Sequence, residues 1–394
     1  MRIFLQLLSL VGLAWTAAAA DHWVATWASA QQLVEHANMP PAPGLAGNTL
    51  RQCVHVSLGG NTVRFSFSNA YGTNAVELRS VHAALSAGDA AIQTATDHPI
   101  LFGGAALVLL RPGQVVISDP CQFQLPPLAT LTVSISLGQV SPAVTGHPGS
   151  RTTSYLQPGD SVSEPRLAEP TKTAHWYYLA RVDVLASDSA AVVVALGDSI
   201  LDGRGSTTDG NDRLTDWFAA RLATNSSTSA IAVVNQGIGG NAVVSGGLGP
   251  LALERFERDV LALPGARWFI LLEGVNDIGR SGGNSGVITN LIAAYRQLAA
   301  GAHAHQLKAF AVPILPFGGS MYFSEAHEAA RQAVNSWIRA NRDFDAVIDL
   351  EAVVRDPTNP TALLKEYDSG DHLHLNPAGY RRMAEAVPLS LFIP

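Results

Sequence analysis

The sequence predicts an α/β chain: a five-stranded parallel, doubly wound sheet preceded by an all-β sandwich or jelly-roll region. Three observations predict it. From about Asp21 to Leu185, apolar and polar residues alternate between Gly, Pro and Asn clusters, the pattern of half-buried antiparallel strands. From about Ser187 onward, short apolar runs alternate with stretches of helical periodicity, the pattern of strand–helix units around a parallel sheet. The texture changes once, and 394 residues accommodate two domains at ~100–200 residues each. We therefore expect domains at 21–185 and 187–394.

Taken in order, residues 1–20 carry one positive charge at Arg2, an apolar run to Trp15 and Ala17-Ala18-Ala19-Ala20. This describes a signal peptide with cleavage after Ala20, and the run is shorter than the ~20 residues a membrane span needs. Export to a secreted or periplasmic location follows. In the β region, Val54, Val56 and Leu58 alternate before the turn Gly59-Gly60-Asn61, then Val63, Phe65 and Phe67, and later Leu131, Val133, Ile135 and Leu137. Pro142 to Pro170, rich in Pro, Gly, Ser and Thr, reads as a long loop. The cysteines Cys53 and Cys121 suit either a disulfide between neighbouring strands or two buried thiols.

In the second half, strands are expected at Ala191–Leu196, Ala230–Asn235, Trp268–Glu273, Leu307–Ile314 and Ala346–Leu350. Leu214, Trp217, Phe218 and Leu222 share one helical face. Pro250 suits the first turn of a helix carrying Leu251, Leu253, Phe256 and Val260. Ser324 suits the N-cap of a helix through Ala333 and Trp337. The formal net charge is −7 and no Lys/Arg-rich run occurs, so nucleic acid is not an expected partner.

The chemistry-bearing residues sit where these strands end. Gly197-Asp198-Ser199 leaves the first strand at the carboxyl edge of the sheet, where open α/β folds place their ligands. Ser199 is thus a candidate nucleophile, and a serine needs a base. Asp371-His372-Leu373-His374 follows the last strand. A three-residue spacing on a turn puts Asp371 and His374 on one side, the carboxylate against Nδ1 and the other nitrogen toward Ser199; His372 points away and reads as structural. Donors for an oxyanion are expected from the Ser199 amide, from Gly240 in Gly239-Gly240-Asn241 after the second strand, and from Asn276 after the third. Asp198 and Asp277 read as braces. Gly279–Asn284 and Phe317–Phe323 are expected to rim the site.

These four blocks, in this order, resemble the SGNH, or GDSL, hydrolase superfamily, over about Ala191 to the C-terminus. The resemblance implies a flavodoxin-like α/β/α domain and a serine esterase without metal or other cofactor, with Ser199 as nucleophile, His374 and Asp371 as base and orienting carboxylate, and Gly240 and Asn276 as oxyanion partners. His22-Trp23-Val24-Ala25-Thr26-Trp27 and Arg64-Phe65-Ser66-Phe67-Ser68-Asn69 are similar to secreted bacterial arylesterase or acylhydrolase members with a β domain, as are the loops Asp209–Arg213 and Tyr367–Asp371. The implied substrate is a small-molecule or polysaccharide-linked carboxylic ester, with short acyl groups such as acetyl on a carbohydrate as the first expectation. Leu201 and Leu375 depart from the residues common at these positions, which bears on substrate fit and loop rigidity.

Other readings compete. Gly237-Ile238-Gly239-Gly240-Asn241-Ala242 matches a dinucleotide fingerprint, with Glu257 and Asp259 about 20 residues on, but this leaves Ser199, Asp371 and His374 without a role. Leu201 removes the last glycine of a G-x-S-x-G elbow. No third ligand accompanies His303 and His305, which suit a helix C-terminus. Trp176-Tyr177-Tyr178 suits packing over a sugar-stacking surface. A non-catalytic carbohydrate-binding protein with an inactive hydrolase domain is the alternative function.

Overall fold

In the computed structural model the described residues are 21–393; the leader expected at residues 1–20 lies outside them. The second half forms the expected five-stranded parallel sheet, from Ala191–Gly197, Ile231–Gly237, Ala266–Leu272, Lys308–Ala311 and Ala346–Val347. Numbered along the chain, the strands lie in the order 2-1-3-4-5. The first crossover therefore runs one way from strand 1 and the later ones run the other way. Right-handed crossovers then place helices on opposite faces. Leu214–Ala223 packs beside Pro377–Ala386, and Ser285–Ala304 beside Glu325–Ala340. The order reverses between strands 1 and 3, which opens a crevice at their carboxyl ends.

Local signals hold in most places. The Ser324 side chain accepts from the His327 amide, so Ser324 caps its helix. Leu214, Phe218 and Leu222 are buried, as their shared face requires. His305 ends the helix Ser285–Ala304 and bonds the Gly301 carbonyl. Pro250 differs: the helix is Ala252–Phe256 with Leu251 at its N-cap, so Pro250 lies just outside the first turn. Its carbonyl instead accepts from the Asn241 side chain at 2.8 Å.

The first half is antiparallel. One sheet orders His22–Ala28, Leu179–Ala186, Gly60–Ser68 and Val115–Ile117, with Cys121–Leu125 also on Gly60–Ser68. A second orders Thr171–Thr173, Ser154–Pro158, Asn48–His55, Thr130–Leu137, Val76–Leu85 and His98–Ile100. Thr130–Leu137 is buried on both faces rather than one. The fully buried Arg51 explains this: it donates to Ser134 Oγ and to the carbonyls of Ala90, Val162 and Glu164, tying two loops over the polar face.

One reading of this half is corrected, and one open alternative is decided. The stretch Pro142–Pro170 is not one loop, since it supplies the strands Thr145–His147 and Ser154–Pro158. Cys53 and Cys121 lie in different sheets and both are free, so the neighbouring-strand disulfide does not form. Trp176, Tyr177 and Tyr178 are buried packing residues.

The halves share one apolar core. The strand Ile231–Gly237 is the edge of the parallel sheet, and an open edge invites mispairing. Here the Val233 amide donates to Ser57 Oγ at 3.1 Å, and the strand His22–Ala28 packs against Ile231–Gly237. The β region thus covers that edge. Among the described residues no helix is long and apolar enough to cross a membrane.

Candidate active site

The site begins at the end of the first parallel strand. A β-carbon at Gly197 would collide with the Leu272 carbonyl, so glycine is required for this close exit. Asp198 then caps the single helical turn Ser199–Asp202, its Oδ1 accepting from the Ile200 amide at 2.9 Å. This is the brace expected of it. Complete burial pushes its carboxyl up to about 7, against that hydrogen bond. Ser199 is the first residue of the turn, so its amide has no partner within it.

Ser199 Oγ lies 2.7 Å from His374 Nε2, and His374 Nδ1 lies 2.7 Å from Asp371 Oδ2. The three-residue spacing has a local cause. Asp371 Oδ1 also accepts from the amides of Leu373 (3.0 Å) and His374 (2.9 Å), so the carboxylate closes the turn that presents the ring. Partial burial works against the Asp371 charge, but the amide, ring and charge of His374 outweigh it and hold the carboxyl at about 2. Burial lowers the His374 imidazole below its ordinary value, and the Asp371 contact only partly offsets this. The ring is therefore neutral at neutral pH, as a proton acceptor must be. His372 turns away: with φ +60° it pairs with Asp368 at 2.6 Å on the exposed side.

Gly240 and Asn276 come to the same cleft as Ser199 and His374. Gly240 has φ +73°, a conformation that favours glycine. Asn276 Nδ2 donates to the Asn241 carbonyl at 2.8 Å, which leaves its second N–H available. Asp277 is a brace, accepting from the amides of Val243, Val244 and Ser245. The cleft measures about 620 Å³. Arg280, Met321 and Tyr322 from the two expected rim segments line it; Leu201 and Leu375 are buried in the core instead.

Several contributors were not legible in the sequence. The buried Arg255 donates to the carbonyls of Gly197 (2.9 Å) and Gln236 (2.6 Å) and to Asn241 Oδ1 (2.9 Å), pinning two strand ends at the site. It also pairs with Asp259 at 3.2 Å, so one of the two acids that the dinucleotide reading offered is engaged. Glu273 lies 3.7 Å from Arg255, beyond hydrogen-bond reach, and both its carboxyl oxygens lack a donor. Burial pushes that carboxyl up to about 8.

The β region supplies one wall of the cleft through Gln32, Glu35, Asn38, Arg151 and His175. The Glu35 carboxylate is held by the side-chain amides of Gln32 (2.5 Å) and Asn38 (3.0 Å). His147 reaches Asp202, the last residue of the Ser199 turn, at 2.9 Å, and Arg151 reaches its other oxygen at 3.3 Å. His147 Nδ1 faces the Ala30 carbonyl at 2.8 Å. The loop Asp209–Arg213 joins the same seam, Asp209 accepting from the amide and hydroxyl of Thr153. Among the described residues no group of three or more His, Cys, Asp or Glu side chains is placed to hold a metal ion.

Residues 195–382 match the GDSL-like Lipase/Acylhydrolase family. Part of the chain is similar to a catalytic mutant of an acetylxylan esterase from Geobacillus stearothermophilus, at 20% identity over 50% of this chain and 92% of that one, with a TM-score of 0.39. It is similar to the aryl esterase of M. smegmatis at 16% identity, over 50% of this chain and 96% of that one, TM-score 0.38. A GDSL-like lipase from Bacteroides thetaiotaomicron matches at 18% identity, over 51% and 87% of the two chains, TM-score 0.36. No curated protein matches the chain. Residues 195–382 are therefore a GDSL-like lipase/acylhydrolase domain, the domain of a carboxylic ester hydrolase.

Proposed function

We propose that the protein is an exported serine esterase that cleaves short acyl groups, acetyl foremost, from carbohydrate hydroxyls through Ser199, His374 and Asp371. The observation that carries this reading is the unbroken hydrogen-bonded line from Asp371 through His374 to Ser199, with 2.7 Å at each step. In the mechanism, His374 Nε2 takes the proton of Ser199 Oγ as the oxygen attacks the ester carbonyl. Asp371 keeps the ring in the tautomer that leaves Nε2 free and stabilises the imidazolium that forms. The Ser199 and Gly240 amides and the Asn276 side chain donate to the oxyanion. His374 Nε2–H then protonates the leaving alcohol. Water, activated by the same ring, cleaves the acyl-enzyme and restores Ser199.

The carbohydrate reading is supported by the wall from the β region. Its Glu35 carboxylate, Asn38 amide and Arg151 guanidinium offer acceptors and donors suited to a polyhydroxyl alcohol. Export is supported by the signal-peptide pattern at residues 1–20. The boundary at 185–187 is supported by the change from antiparallel to parallel strands around it. Hydrolysis of p-nitrophenyl esters of increasing chain length, beside acetylated xylan, tests the reading. Turnover should be highest for acetyl and at least about 10⁴-fold lower in Ser199→Ala; unchanged turnover in that variant would end it.

A further inference from the structure

We infer that Tyr322 is a positioning residue that sets and polarises the amide of Asn276, and so tunes the oxyanion site from a rim segment. This rests on the reading of Asn276 as an oxyanion donor. The orientation of the Asn276 side chain is determined by its neighbours. The Asn241 carbonyl can only accept, so the atom 2.8 Å from it is Nδ2. Oδ1 then faces Tyr322, whose hydroxyl donates to it at 2.9 Å. With Oδ1 and one N–H engaged, the only free polar group of the amide is the second N–H, and Asn276 lines the cleft. The Tyr322 hydroxyl in turn accepts from Arg280 Nε at 3.3 Å. Hydrogen bonds in such a chain polarise one another. Donation to Oδ1 draws electron density from the amide nitrogen and strengthens its free N–H as a donor, and more so when a negative oxygen develops opposite it.

The tyrosine is itself held in place. A β-carbon at Gly279 would collide with the Tyr322 ring, so the glycine is what lets the ring lie against the end of the helix Val275–Gly279. The His327 ring sits between the carbonyls of Tyr322 at 2.6 Å and Ser281 at 2.8 Å, bridging the two rim segments. Tyr322 thereby acts through Asn276 without contributing a donor of its own to the oxyanion.

A double-mutant cycle in the full chain, with p-nitrophenyl acetate as substrate, tests this. Tyr322→Phe keeps the ring and removes the hydroxyl that bonds Asn276 Oδ1 and accepts from Arg280; with only the Asn276 bond feeding the oxyanion site, kcat should fall about three- to tenfold, the scale of a single hydrogen bond, with KM unchanged. Asn276→Ala should lower kcat by about 10²–10³. Adding Tyr322→Phe to Asn276→Ala should then cost nothing further. Gly279→Ala, which displaces the ring, should reproduce the Tyr322→Phe loss and likewise add nothing to Asn276→Ala. If Asn276→Ala is deleterious and Tyr322→Phe multiplies its loss by the same factor as in the native protein, Tyr322 does not act through Asn276 and the inference is overturned. A rise in KM with kcat unchanged would make Tyr322 a substrate contact and overturn it as well. If Asn276→Ala has no effect, the oxyanion reading itself fails and takes the inference with it.

Discussion

Asp371 grips His374 at two points, accepting from its amide at 2.9 Å through one oxygen and meeting its ring at 2.7 Å through the other. The carboxylate is 42% exposed while the His374 side chain is 5% exposed. The charge therefore sits at the rim and the imidazole sits inside. This arrangement keeps Asp371 ionised and leaves His374 neutral.

The pH profile should show it. The proposed mechanism requires neutral His374, and burial lowers its pKa below the ordinary histidine value of 6.5. The acidic limb of kcat/KM should rise with pH and have its midpoint below 6.5. Asp371→Asn removes the carboxylate that partly holds the ring's pKa up, so the limb should move lower still. It should also cut kcat by at least about 10²-fold, because the tautomer is no longer enforced. A limb centred at or above 6.5 in the native protein would contradict the geometry.

Ser199→Ala should lower kcat by at least about 10⁴-fold, the scale seen when a nucleophile is removed from a working triad. The residual rate would come from binding and oxyanion donors. Ser199 lies on a turn capped by Asp198, and removing its hydroxyl leaves that cap in place. Circular dichroism and melting temperature should match the native protein; a variant with altered spectra would point to a structural role.

Stability should fall as pH rises across neutrality. Asp198 and Glu273, with ordinary values of 3.8 and 4.5, are pushed up by burial to about 7 and about 8. Both bind protons more tightly folded than unfolded. Their contribution is fully present below the ordinary values and is lost as pH climbs through the raised ones. Urea midpoints at pH 5 and pH 8 should therefore differ, with the higher midpoint at pH 5. Glu273→Gln removes one of the two groups and should narrow that gap; a gap of undiminished size would contradict the assignment.

His147→Ala should cost about 2 kcal/mol of unfolding free energy, because it takes a hydrogen-bond partner from the buried Asp202 carboxylate and from the Ala30 carbonyl. Asp202 would keep only Arg151. Since Asp202 ends the Ser199 turn, kcat should fall with stability. Denaturant titration and steady-state kinetics on the same preparation would check both, and a variant as stable as the native protein would show that the seam carries no load.

Much of the site was readable because its parts are local. Gly197 and Ser199 lie two residues apart at a strand end, and Asp371 and His374 lie on one turn, so short-range rules apply. The strand alternation at Gly60–Ser68 was readable for the same reason. The burial of both faces at Thr130–Leu137 was not, because it depends on Arg51 reaching carbonyls up to 113 residues away in sequence. Likewise His147 sits in a segment whose composition suggests a loop, and nothing near it points to Asp202, 55 residues on.

By itself the sequence determined the α/β class, the order of the parallel strands' chemistry-bearing ends, and the residues that meet at Ser199, because hydrophobic period and turn chemistry are short-range. Only the tertiary structure decided that the β region forms a wall of the cleft, that Arg255 pins the strand ends, and that Tyr322 engages Asn276. Those contacts join residues distant in the chain, and buried polar groups settle only when the fold brings a partner within hydrogen-bond reach.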